Sequence, residues 1–287
     1  MSTESVAVVV PLSSREGFTA EEQISLTHLR AHLGRNVKYL VAPPGLKIDC
    51  PDFEVRRLDA KYFGSIKAYS RLMLSPMFYE SFRDYEFILT YHLDALVFSD
   101  ELLDWCKKDF DFIGAPLKYH STSTELGLIG NGGFALRKIE AFLRLFKSRR
   151  PCVDPKEFWQ RISSGKPKTL QLLHYPRKIA KQIGFLNDID REISLLMKGN
   201  GFWEDLFIAK RATYFDPEFR LAPLDMAVRF AFDEFPRKCF EMNGGRLPFG
   251  CHAWHKYDRD FWTPYLLKPA HHVSTGHSVR NGDRSVS

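Results

Sequence analysis

His92 and Asp94 stand two apart in Y-E-F-I-L-T-Y-H-L-D-A-L-V-F, residues 85–98. Apolar runs of strand-forming type flank them, Phe87-Ile88-Leu89 and Leu96-Val97-Phe98. An acid interrupting such a run belongs where a central strand ends and faces a cleft, and open α/β sheets bind ligands at those carboxyl ends. Residues two apart on an extended chain point to one side, so His92 and Asp94 are spaced to share a cation. A half-buried acid capping a neighbouring loop is the simpler use of the same residues. Gly130-Asn131-Gly132-Gly133 offers a different chemistry. Glycines let backbone approach a ligand such as a sugar and leave N–H groups open, and the Asn131 amide both donates to and accepts from hydroxyls. A plain tight turn before Phe134 uses the same residues.

The elements that must hold these groups follow from periodicity. Val6-Ala7-Val8-Val9-Val10 is a continuous apolar run suited to a parallel strand covered on both faces, and it ends at Pro11. A helix then opens on the capping box Thr19/Glu22, shows Leu26, Leu29 and Leu33 on one stripe, and closes at Gly34. Residues 37–41 and 53–58 read as further strands. Residues 65–82 carry helical spacing with a break at Ser75-Pro76, and Lys67 and Arg71, four apart, share a face. Residues 110–115 read as a strand and 117–128 as a mobile loop, and Gly130 to Leu136 run into a helix over about 138–149. Gly199-Asn200-Gly201-Phe202 reads as a turn before a helix at Trp203-Glu204-Asp205, and Pro223 opens a helix through Phe232. The alternation predicts an α/β fold with a mostly parallel central sheet flanked by helices. Residues 1–270 form one domain with a basic insertion at about 144–181, and residues 271–287 a disordered tail.

Composition narrows the classes. The chain of 287 residues is 44% hydrophobic and 14% aromatic, ample for a sizeable core. It has no apolar run of membrane-spanning length, and M-S-T-E-S lacks the features of a signal peptide, so cytoplasmic residence is expected. Five scattered cysteines with no C-x-x-C pair read as reduced thiols. Residues 144–181 hold eleven Lys/Arg against Asp154 and Glu157, a balance of +9 where the whole chain carries +6. No nucleic-acid motif accompanies them, so nucleic acid is not an expected partner. A solvated face is the plainest reading; an anionic acceptor or peripheral contact with a phospholipid membrane fits the same charge.

In order, Y-H-L-D-A-L-V-F, G-N-G-G-F-A-L-R-K, W-E-D-L-F and F-G-C-H-A-W resemble the recurring stretches of a family of uncharacterised glycosyltransferase-like proteins, related to nucleotide-sugar glycosyltransferases of the GT-A (Rossmann-like) fold. The stretches fall between Tyr91 and Trp254, and the strand–helix opening extends the likeness towards the N-terminus. GT-A enzymes commonly carry D-x-D at a central strand end to hold a divalent metal against the donor diphosphate. The matching positions here are His92 and Asp94, so a histidine replaces the first acid, and an imidazole favours Mn²⁺ over Mg²⁺. The resemblance implies His252 as a third metal ligand, with a packed histidine the bland alternative. It also implies Lys256 at the diphosphate, Arg15, Lys67 and Arg71 as further cationic help, and Pro11, Asn131, Gly132 and Gly133 along the donor. Glu204-Asp205 becomes the acid pair of an inverting reaction, with Asp205 the general base and Glu204 orienting substrate. Acids in a helix's first turn are also stabilised by its dipole alone. Trp203 is a sugar-stacking platform or, more simply, core. The function implied is metal-assisted transfer from a nucleotide-sugar donor to an anionic or lipid-linked glycan acceptor. The alternative is a non-catalytic carbohydrate-binding protein on a degenerate GT-A fold.

Overall fold

In the computed structural model, residues 4–118, 125–165, 167–185, 187–199 and 203–268 are described. Within these, β1 (Glu4–Pro11) leads to α1 (Ala20–Leu33), opened by the reciprocal Thr19/Glu22 cap, and β2 (Lys38–Ala42) and β3 (Glu54–Arg57) follow. The helical stretch divides at Ser75-Pro76 into α2 (Ile66–Met73) and α3 (Pro76–Glu80), because a proline can begin a helix but not continue one. Next come β4 (Tyr85–Tyr91), β5 (Leu96–Val97), α4 (Leu102–Cys106), β6 (Phe112–Gly114), β7 (Pro116–Lys118) and β8 (Leu126–Ile129). The remainder is β9 (Phe134–Lys138), α5 (Ile139–Phe146), α6 (Pro155–Ser163), α7 (Lys168–Gln182), α8 (Ile189–Leu196), α9 (Glu204–Phe215), α10 (Leu224–Phe230), β10 (Ala231–Phe232), α11 (Pro236–Met242), β11 (Gly250–Cys251) and α12 (Arg259–Trp262).

Six strands form the central sheet in the order β3-β2-β1-β4-β9-β6. β1 pairs in parallel with β2 and β4, and β2 with β3, whereas β9 is antiparallel to both β4 and β6. The run 6–10 is buried on both faces as its composition requires: Val6, Val8 and Val10 join one core and Ala7 and Val9 the other. The order turns back between β1 and β4, and the crevice outside such a point is where open α/β sheets take ligands. β9 runs the other way, so it offers its beginning, the Asn131-Gly132-Gly133 stretch, to that same edge.

Four local expectations change. Residues 85–98 are not one extended chain: β4 ends at Tyr91, the backbone turns with Ala95 N–H donating to the His92 carbonyl, and β5 belongs to a second sheet, β10-β11-β5. A strand, β9, intervenes between the glycines and α5; its alternation sends Phe134 and Leu136 to one core and Ala135 to the other. The stretch 117–128 contains paired strand residues, Leu117 opposite Leu128 and Lys118 opposite Leu126, on either side of residues 119–124, which lie outside the described residues. α10 stops at Phe230, and 231–232 pair with β11 instead. The turn expected at 199–202 and the tail at 271–287 also fall wholly or mainly outside the described residues. Among those described, no helix is long and apolar enough to cross a membrane, and all five cysteines are free.

Candidate active site

The small sheet assembles one end of the cleft. β11 is antiparallel to β5 with Cys251 opposite Leu96, and parallel to β10 with Cys251 opposite Phe232. Asp94 just before β5, His252 just after β11 and Asp233 just after β10 are therefore delivered to one place. His252 Nε2 lies 3.3 Å from Asp94 and its Nδ1 lies 3.2 Å from Asp233. Asp233 is itself held by Asn131, whose side-chain Nδ2 donates to it at 2.8 Å, while the Asn131 side-chain Oδ1 accepts the Gly133 N–H at 2.9 Å. His92 enters from the end of β4, anchored by its own N–H on the Gly133 carbonyl at 2.8 Å, with its ring centroid 5.4 Å from that of His252.

These groups fit a divalent cation. His92, Asp94 and His252 each offer a ligand atom, all within 4.8 Å of one another. His92 Nε2 is buried with no hydrogen-bond partner, an acceptor waiting for a positive group. Burial, together with the positive His252 nearby, pushes the His92 pKa down to about 4, so its imidazole is neutral and its lone pair free. Burial would raise the Asp94 carboxyl, but the charge and hydrogen bond of His252 outweigh it and hold Asp94 well below the usual carboxylate range. For His252, burial acts downward and is overcome by Asp94 and Asp233, which lift its pKa to about 10. A protonated His252 thus supplies the positive charge at this end of the cleft, and a cation would take that proton's place on Nε2.

The other end is built on α9. Glu204 and Asp205 begin this helix and are both buried, at 4% and 5% exposure. Glu204 accepts from the Ser70 hydroxyl of α2 at 3.1 Å and lies 3.5 Å from the guanidinium of Arg137. Arg137 is wholly buried on β9, also donating to the Tyr79 hydroxyl at 3.3 Å and lying over the rings of Phe112 and Phe142. Asp205 accepts the Leu206 N–H at 2.7 Å and no cationic side chain pairs with it among the described residues. Burial first, and the neighbouring Glu204 charge second, raise its carboxyl to about 7.

The glycines serve this construction. A Cβ on Gly132 would collide with the Glu204 carboxylate and approach Arg137 Nη2 at 2.9 Å, and one on Gly133 would collide with the His252 ring. Their missing side chains leave room for the site's own groups at both ends, rather than open space for a sugar alone.

These residues, apart from the supporting Asp233, Arg137 and Ser70, line a cleft of about 770 Å³. It holds Pro11, His92, Asp94, Asn131, Gly132, Gly133, Glu204, Asp205, His252 and Lys256 of the expected residues. Lys67 and Arg71 sit exposed on α2 and do not line it, because the inward positions of that helix are Tyr69 and Leu72. Arg15 lines an adjoining hollow and is paired with Glu22 at 2.7 Å. Trp203, which reads more simply as core, is 44% exposed on the cleft wall. Asp233, Arg137 and Ser70 were not singled out by sequence. Asp233 carries the signal that marks Asp94, an acid ending an apolar run (A-F-D), and Arg137 is a charge inside the strand F-A-L-R-K. Ser70 carries no such signal.

No curated protein matches the chain. Among solved structures it is similar to the apo-form glycosyltransferase GlyE of Streptococcus pneumoniae TIGR4, at 13% identity and TM-score 0.44, covering 91% of this chain and 60% of that one. It thus spans about three fifths of that protein's length. It is also similar to the galactosyltransferase LgtC in complex with donor and acceptor sugar analogs (13% identity, TM-score 0.45, 90% of this chain and 94% of that one). A third is a glycosyltransferase involved in glycosylation of the major capsid of PBCV-1 (8% identity, TM-score 0.43, 91% and 98%). The family model of DUF5672, described as a protein of unknown function, matches residues 52–252, and the chain belongs to that family.

Proposed function

We propose that this protein is a glycosyltransferase, moving a sugar from a nucleotide-sugar donor to a hydroxyl acceptor with inversion, and with Mn²⁺ or Mg²⁺ held by His92, Asp94 and His252. The observation that carries this reading is one cleft with a cation-ready cluster at one end and a buried, proton-holding carboxyl at the other. A bound divalent cation would offset the charge gathering on the donor's diphosphate as it leaves. Asp205, in its ionised form, takes the acceptor hydroxyl's proton while that oxygen bonds to the anomeric carbon and the bond from that carbon to the diphosphate breaks. A carboxyl titrating near 7 is matched to this task, since the base must be both substantially ionised and basic enough to accept a proton. Glu204, fixed by Ser70 and Arg137, accepts hydrogen bonds from substrate hydroxyls. The backbone of 131–133 borders the donor sugar, Lys256 lies at the diphosphate, and the open face of Trp203 stacks against a sugar ring. The basic segment 144–181 suits an anionic or lipid-linked glycan as acceptor, and free cysteines suit cytoplasmic residence.

A thermal-shift panel of nucleoside diphosphates and sugar nucleotides, with and without Mn²⁺, tests the proposal. At a hundredfold excess over its Kd a donor stabilises by about 2.7 kcal/mol. One nucleotide should do so only when metal is present. Glycan binding that survives chelation and needs no nucleotide would mark a binding protein instead.

A further inference from the structure

The hairpin of α6 and α7 stands off the core: none of its residues whose burial is described is buried. The two helices pack on each other through Trp159 and Tyr175, whose ring centroids lie 6.2 Å apart, with Lys178 Nζ 4.8 Å from the Trp159 ring and Lys181 Nζ 5.9 Å from that of Phe158. That contact takes one side of α7. On another side Leu172, Pro176, Ile179 and Ile183 recur at helical spacing, and Leu172, Ile179 and Ile183 are 72%, 43% and 75% exposed. Leu173 beside the stripe and Phe185 beyond the helix end extend the apolar face, at 72% and 62%. The hairpin and the segment leading into it also carry Lys147, Arg149, Lys156, Arg161 and Arg177, all exposed and in no ion pair with an acid among the described residues.

We infer that this hairpin docks on the surface of an anionic lipid bilayer, with the α7 stripe in the acyl–headgroup boundary and the exposed cations of the segment on lipid phosphates and carboxylates. Charge decides among the occupants. A second copy of the chain would bring another segment of +9 against the first. A nucleic acid would satisfy the cations and leave five large apolar side chains in water. An anionic membrane answers both features at once, since apolar burial and attraction to anionic headgroups add. The inference goes beyond the transfer reaction and does not depend on it, because no residue of the hairpin lines the cleft.

The full chain is sedimented with vesicles of phosphatidylcholine alone and of phosphatidylcholine with phosphatidylserine. It should pellet with the second and not the first, and less so as salt is raised. Leu172→Asp with Ile183→Asp should lower partitioning about tenfold or more. Lys156→Gln, Arg161→Gln and Arg177→Gln together should lower it about 10²-fold. Helical circular dichroism and melting temperature should hold in both variants, because every changed side chain is exposed. Three results would overturn the inference: no pelleting with phosphatidylserine vesicles, unchanged pelleting of the apolar variant, or a wild-type dimer that binds no vesicle and turns monomeric in that variant.

Discussion

Asp94 and Asp205 are the same side chain at two ends of one cleft, and their surroundings drive them in opposite directions. At the sheet end, two histidines crowd Asp94 and a second acid, Asp233, holds His252 in place, so negative charge is compensated and Asp94 stays ionised. At the helix end, Arg137 is turned towards Glu204, and Asp205 is left dry beside a like charge, which favours its proton. A Cβ on Gly132 or Gly133 would collide not with these acids but with their neighbours, Glu204 and His252. The lesson is that where cations sit, rather than residue type, divides the carboxyls into one suited to a cation and one suited to moving a proton.

The division can be broken at either end. Asp94→Asn removes the charge on which the proposed cation would depend, and turnover should fall by about 10⁴-fold, several kcal/mol of transition-state stabilisation. Melting temperature should also fall, because the His252 charge loses one partner, but the fold should hold since His252 keeps Asp233. Turnover at the wild-type rate in this variant would end the metal reading. Asp205→Asn keeps shape and removes the proposed base, so kcat should drop by about 10²–10⁴-fold while Mn²⁺-dependent nucleotide binding stays within about twofold. If Glu204→Gln rather than Asp205→Asn is the inactive variant, the two acids exchange roles. Arg137→Met acts on stability first. Leaving Glu204 buried without its partner should cost about 3–5 kcal/mol, read by urea denaturation. Adding Glu204→Gln to that variant should recover part of the loss, which a purely steric effect of methionine would not allow.

How legible this was in sequence differs between the two ends. Asp94 announced itself as a polar break in an apolar run, and Glu204-Asp205 as acids opening a helix; both signals are local. The parallel strands, the capping box and the break at Ser75-Pro76 are local as well. What joins His252 and Asp233 to Asp94 is the register of a three-strand sheet whose strands are two residues long, too short for any periodicity to show. β9 hid for a related reason: five residues between a glycine turn and a helix read as the helix's approach, and only pairing with β4 and β6 makes them a strand. The assignment of Lys67 and Arg71 to a phosphate failed on direction, since spacing says that two residues share a helical face but not which face meets the cleft.

The most gradual effect, spread over several pH units, is also the most direct reading of the comparison, because it follows protons without requiring substrate. A carboxyl whose pKa is raised on folding from 3.8 to about 7 binds more protons folded than unfolded across that interval. Its contribution to stability is therefore full below pH 4 and is lost as pH rises through about 7, at up to about 1.4 kcal/mol per pH unit. Asp205→Asn cannot titrate, so the stability difference between wild type and this variant should fall between pH 4 and 7 and be level above. His252 behaves alike in a later window: its pKa rises from 6.5 to about 10, so its share is intact below 6.5 and disappears as pH climbs through 10. The difference between wild type and His252→Gln should thus be level where the first curve falls, and fall where the first is level. Chemical denaturation at pH steps from 4 to 10 measures both curves. Two curves that bend in the same window would mean that the ends of the cleft titrate as one cluster, and the separation of a cation site from a proton-transferring site would go with it.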